Sequence, residues 1–202
     1  MNLPIPRSVL ALLSVLVLAL VASACGNDDQ AKTGGATKAN GADRAFVAGM
    51  VPHHQSAIDM AQVALERGQS SFVKTLAKNI AGSQQPQIDA MRKADDRLAG
   101  AGIKAAAPAG GHGSGMGEDP AVKLKTASPF DEAFIKEMLP HHKSALPMAQ
   151  AEIDKGGDAE LKKIAQQIID DQTPEIAAME KHAKENFGTA AAGKEHGGGH
   201  SG

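Results

Sequence analysis

The sequence predicts an all-α protein, a four-helix bundle made of two duplicated helical hairpins. Three observations carry that prediction. Residues 43–98 and 131–186 align without a gap at a constant offset of 88, with about 22 of the pairs identical, a self-similarity that marks an internal repeat. Within each copy apolar residues recur at three- and four-residue spacing, the period of a helix, and no stretch sustains strand-like alternation. Each copy is also interrupted by a glycine stop, Gly68 or Gly156. It therefore folds back as a hairpin with one apolar face, and two such faces bury each other.

Residues 1–25 read as an export signal. Arg7 is the positive flank, Val9 to Val21 form an apolar run broken only by Ser14, and Ala22-Ser23-Ala24 leads to Cys25, the sole cysteine. The run is short for a spanning helix and ends in a cleavage-type sequence. A cysteine at that point resembles the lipobox of bacterial lipoproteins, which predicts lipidation of Cys25 and an anchor on the outer face of the cell membrane. Ala22 stands where that box usually has a larger aliphatic residue, and Ala22-x-Ala24 also suits ordinary signal peptidase. Release as a secreted protein is the alternative. Residues 26–42 are small, polar and glycine-rich, a flexible tether.

The first hairpin, 43–98, places Phe46, Val47, Met50, Ala57, Met60, Ala61 and Ala64 on one helix. Arg67 and Gly68 end it, and Phe72, Val73, Leu76, Ile80, Ile88, Met91 and Leu98 follow on the next. Residues 99–130 form a low-complexity crossover linker that includes His112 and Met116. The second hairpin, 131–187, repeats the design, with Leu161, Ile164, Ile168, Ile176 and Met179 as its second stripe. Residues 188–202 are a Gly/His tail, expected to be disordered, with His196 and His200.

The chemistry sits in the repeated motif. GMVPHHQSAIDMAQ and EMLPHHKSALPMAQ each hold two adjacent histidines, a methionine three residues before the first and another seven after it. On a helix Met50, His53, Ala57 and Met60 share a face with His54 on its flank, and Met138, His141, His142 and Met148 repeat this. Met91 and Met179 lie on the inward stripes of the partner helices, so folding the first hairpin is expected to bring Met91 towards His53 and Met60. No cysteine remains beyond Cys25, so a metal would be held by imidazole, thioether or carboxylate. Imidazole with soft thioether suits copper, above all Cu(I).

A methionine at helical spacing usually fills core, and a single half-buried histidine is usually structural. A histidine pair written twice with the same methionine flanks is harder to explain as packing. His182, three residues after Met179, has Ala94 at the matching place and is a possible extra ligand. The net charge of −2 and the lack of a basic, aromatic-interleaved cluster give no support to a nucleic-acid partner, and none is expected. No Glu-x-x-His pair, His-Glu-x-x-His or Cys-x-x-Cys-His occurs, and nothing marks an enzyme.

The pattern Met50, His53, His54, Ala57, Met60, Ala61, then Gln84, Gln87, Ile88, Met91 is matched by Met138, His141, His142, Ala145, Met148, Ala149, then Gln172, Glu175, Ile176, Met179. It resembles the secreted bacterial family of unknown function numbered three hundred and five. That resemblance implies a ferritin-like four-helix bundle, often exported, with some relatives associated with copper binding and copper resistance. The family often carries an aromatic residue three after the last methionine, where this chain has Ala94 and His182. The expectation is an extracytoplasmic copper-binding protein for sequestration, buffering or handover. Two other readings stand open: a structural or partner-binding envelope module without metal, and a metal-dependent redox enzyme.

Overall fold

The structure, a computed structural model, describes residues 38–107 and 118–188. The predicted signal segment with Cys25, most of the predicted tether, His112, Met116 and the Gly/His tail lie outside the described residues. Among those described, every regular element is a helix: α1 (Gly41–Arg67), α2 (Ser71–Gly100), α3 (Pro120–Leu124), α4 (Phe130–Lys155) and α5 (Ala159–Asn186). The four long helices form the expected bundle. Packing is most extensive inside the hairpins α1/α2 and α4/α5, followed by α1 against α4. No described helix is long and apolar enough to cross a membrane.

The helix starts follow local chemistry. Asn40 caps α1 by accepting from the Ala42 amide, and Asp43 reciprocates on the Asn40 amide, a capping box. α1 therefore begins at Gly41, two residues earlier than the predicted unit. The predicted 99–130 linker also needs correction, because it contains α3. Asp119 caps that helix, Pro120 opens it, Ala121 and Leu124 are buried in the core, and Arg67 donates to the Leu124 and Ala127 carbonyls. A five-residue helix has too little periodicity to register in sequence, and burial against α1 sustains it.

The duplication is used reciprocally. Asp131, at the start of the second unit, accepts from the Gln69 and Ser70 amides in the turn of the first, both at 2.8 Å. Asp43, its repeat partner, accepts from the Gly157 and Asp158 amides in the turn of the second, at 2.7 and 2.8 Å. Each unit thus satisfies the orphan backbone donors of the other. The second turn is the tighter one: a Cβ on Gly157 would lie 2.0 Å from the Lys38 carbonyl oxygen, so only glycine fits.

One residue breaks this symmetry. Glu152 is buried beside Asp43, where the first unit has Ala64, and neither of its oxygens makes a well-formed hydrogen bond among the described residues. Burial, with the neighbouring Asp43 carboxyl adding to it, pushes the Glu152 carboxyl up to about 9 from an ordinary 4.5. Between those values the folded protein keeps a proton that the unfolded chain has lost. Its contribution to stability therefore falls as pH rises through that window. Glu152→Gln should remove the effect. Thermal melts should show the variant level with the parent at about pH 5 and ahead by roughly 3–6 °C at about pH 9. An advantage that shrinks as pH rises would contradict this account.

The apolar core is split in two. One cluster takes Ala57, Met60 and Ala61 of α1, Leu76 and Ile80 of α2, Phe134 and Met138 of α4, and Ile176 and Met179 of α5. The other takes Phe46 and Met50 of α1, Met91 and Leu98 of α2, Ala145 and Ala149 of α4, and Leu161 and Ile168 of α5. On every long helix buried polar residues stand between the clusters: His54, Gln84 and Gln87, His142, and Gln172, with Ile88 the buried apolar residue beside them on α2. The bundle has a polar middle layer.

Candidate metal centre

Where α1 crosses α4, His53 and His141 meet across the junction of the two units, their ring centroids 3.8 Å apart at 38°. Both rings are partly exposed. His54 and His142 are fully buried, 0% exposed, with ring centroids 6.4 Å from those of their sequence neighbours. The sequence put His54 on the flank of the inward stripe; the structure makes it the deeper of its pair. The stripe that faces the core is Met50, His54, Ala57 and Ala61, at spacings of four, three and four, and each is 0% exposed.

The hydrogen bonds fix the tautomers. The Ser144 hydroxyl donates to the His141 carbonyl at 2.7 Å, so it accepts from His53 Nε2 at 2.8 Å. The Gln87 amide nitrogen donates to Asp171 Oδ2 at 3.0 Å, which leaves Gln87 Oε1 to accept from His54 Nε2 at 2.9 Å. His142 Nε2 donates to Glu175 Oε2 at 2.9 Å. For His54 and His142 the proton therefore sits on Nε2 and the lone pair on Nδ1. Both Nδ1 atoms are buried and make no hydrogen bond among the described residues. Burial, opposed by the Gln87 bond and aided by the proximity of His142, lowers His54 to about 4 and keeps it neutral. A buried, neutral imidazole oriented through its other nitrogen is what a metal ligand requires.

The methionines divide by position along the bundle. Met50 and Met91 share one apolar cluster, with Met148 packed against it, while Met60, Met138 and Met179 share the other. Each cluster thus holds two methionines of one unit and one of the other. This corrects the expectation that Met91 would approach Met60. In an antiparallel hairpin where residue 54 meets 87, residue 91 lies level with 50. Met60 is ten residues, about 15 Å, further along α1. Met148 arrives instead because α1 and α4 also run antiparallel: His53 meets Ser144, and a Cβ on Gly49 would lie 3.0 Å from Met148 Cε. All the methionines of the motif are fully buried except Met148, which is partly so.

Gln84 and Gln172 face the same layer. They are 2% exposed, and among the described residues Gln84 Oε1 and both amide atoms of Gln172 lack hydrogen bonds. His182 has aromatic neighbours instead. It stacks on Phe72 at 4.1 Å and 6° and meets the edge of Phe187 at 5.5 Å, a place at the hairpin end. Among the described residues no three His, Cys, Asp or Glu side chains converge on a common point. The soft donor types in and beside the polar layer are imidazole and thioether, a set that suits a soft ion. Sequence reasoning missed the roles of Gln87, Asp171 and Glu175. The signal was available, since Gln87 and Glu175 lie four residues before Met91 and Met179, on the same helix face.

The sequence profile described as Domain of unknown function (DUF305) matches residues 43–183. No curated protein matches the chain. Among solved structures, CopM in its Cu(I)-bound form is 33% identical with a TM-score of 0.62, covering 72% of this chain and 98% of its own. CopM in its Cu(II)-bound form is 35% identical with a TM-score of 0.61, covering 72% and 97%. A DUF305 protein of Streptomyces coelicolor that is proposed to be secreted is 25% identical with a TM-score of 0.61, covering 79% and 98%.

Proposed function

The chain belongs to the DUF305 family, and from that premise we propose that it binds copper outside the cytoplasm, for sequestration, buffering or handover and without turnover. The observation that carries the reading is the pair of buried imidazoles, His54 and His142, whose Nδ1 lone pairs have no hydrogen bond while Nε2 is pinned. A buried, unpaired acceptor costs about 1–3 kcal/mol unless something meets it, and a metal ion would meet it. Met50, Met91 and Met148 at one end, and Met60, Met138 and Met179 at the other, supply thioethers. His53 and His141, partly exposed between them, complete the candidate set. Binding of Cu(I) and Cu(II) by the CopM relatives supports copper. Cu(I) is favoured because thioethers stabilise the softer ion. The export segment with Cys25, and the secretion proposed for a relative, support placement outside the cytoplasm, on a lipid anchor or released.

The test is an anaerobic Cu(I) competition titration of the purified protein against a coloured chelator, beside a variant with His53, His54, His141 and His142 changed to alanine. The parent is expected to withdraw copper from the chelator and the helical variant to leave it there. Equal behaviour of the two would make the histidines structural and the protein an envelope module.

A further inference from the structure

We infer that the two copies of the motif are unequal cation sites: His142 with its methionines is the tighter, and its advantage is greatest for divalent copper. The inference rests on the copper reading above. The inward-facing residues of the two units match closely, yet the groups behind the buried imidazoles do not. Where the first unit has Gln87, the second has Glu175, and where the first has Ser83, the second has Asp171. Both carboxylates stand on α5, one turn apart, and α2 contributes none.

The consequence lies in the bonding. Glu175 Oε2 accepts from His142 Nε2 at 2.9 Å, with the histidine side chain 0% and the glutamate 16% exposed. Negative charge thus touches the ring, away from bulk solvent. His54 bonds to the neutral amide of Gln87, and the carboxylate of Asp171 stands one hydrogen bond further back. A carboxylate on Nε2–H pushes electron density through the ring to Nδ1 and makes it the better donor. Its charge also attracts a divalent ion twice as strongly as a monovalent one at the same distance. Both effects favour His142, and the second grows with the charge of the ion. Asp171 reaches from the second unit to the first, so His54 gets a weaker form of the same support.

His54→Ala isolates the second site and His142→Ala the first. Cu(II) affinity would be read by competition calorimetry and the copper environment by electron paramagnetic resonance; Cu(I) affinity would be read by anaerobic chelator competition. The His142 site is expected to hold Cu(II) about 10–100-fold more tightly than the His54 site, with a smaller ratio for Cu(I). Glu175→Gln keeps an oxygen to accept from Nε2 and removes only the charge. In the intact protein it should merge a two-step Cu(II) isotherm into one, which covers the case where an alanine variant does not fold. Equal Cu(II) affinities, or a Glu175→Gln isotherm unchanged from the parent, would overturn the inequality while leaving copper binding in place. A parent that takes up neither ion would overturn the copper reading, and this inference with it.

Discussion

Asp43→Ala is expected to cost about 3–5 kcal/mol, because it strips the acceptor from the Asn40, Gly157 and Asp158 amides together. Asp43 is fully buried and the Gly157 and Asp158 bonds are buried with it, so water has poor access to replace the lost oxygens. Asp131→Ala removes the matching latch on the first turn, but Gln69 is exposed and Ser70 half-exposed. Water can meet those donors, and the expected loss is about 1–3 kcal/mol. Asp43→Asn keeps one acceptor oxygen and should fall between. Urea unfolding followed by helical circular dichroism measures all three, at about pH 6, where Glu152 is still protonated in the folded state. Equal losses for Asp43→Ala and Asp131→Ala, or both below about 1 kcal/mol, would remove the reciprocal latches from this account.

The triple change Met50→Leu, Met91→Leu and Met148→Leu should lower copper affinity at one end of the bundle by about a hundredfold or more while the protein stays folded. Leucine nearly conserves the volume of methionine, and such swaps usually cost under about 1.5 kcal/mol each. What it removes is the sulfur. The three residues belong to one apolar cluster, so their replacement should leave the Met60, Met138 and Met179 end with its own affinity. The measurement is the same Cu(I) competition, read for the loss of one equivalent, beside a thermal melt. If both equivalents survive, the methionines at that end are core and only core. If both vanish, the units share one centre.

Much of the fold was legible because its signals are local. A helix writes its buried face at a period of 3.6, glycine stops it, and a gapless offset copies the pattern, so the two hairpins and the bundle could be read from the chain. α3 escaped, being five residues long and held by Arg67 and by burial rather than by its own pattern. His182 reads as a possible ligand because its type stands out, and only the fold shows its ring stacked on Phe72. Glu152 and the two latching aspartates gave no sign of their roles, since a carboxylate in sequence does not say what surrounds it.

By itself the sequence determined that there are two equivalent helical hairpins, that each carries two imidazoles between methionines, and that no thiol competes with them in the bundle. Only the tertiary structure decided which members of those sets meet. The antiparallel register pairs Met91 with Met50 and not with Met60. The crossing of α1 and α4 brings His53 to His141, and the partners on α2 and α5 leave Nδ1 of His54 and His142 as the unpaired atom. The physical reason is one of range. Periodicity is a property of neighbours along a helix, whereas level, tautomer and local charge depend on groups brought together from four different helices.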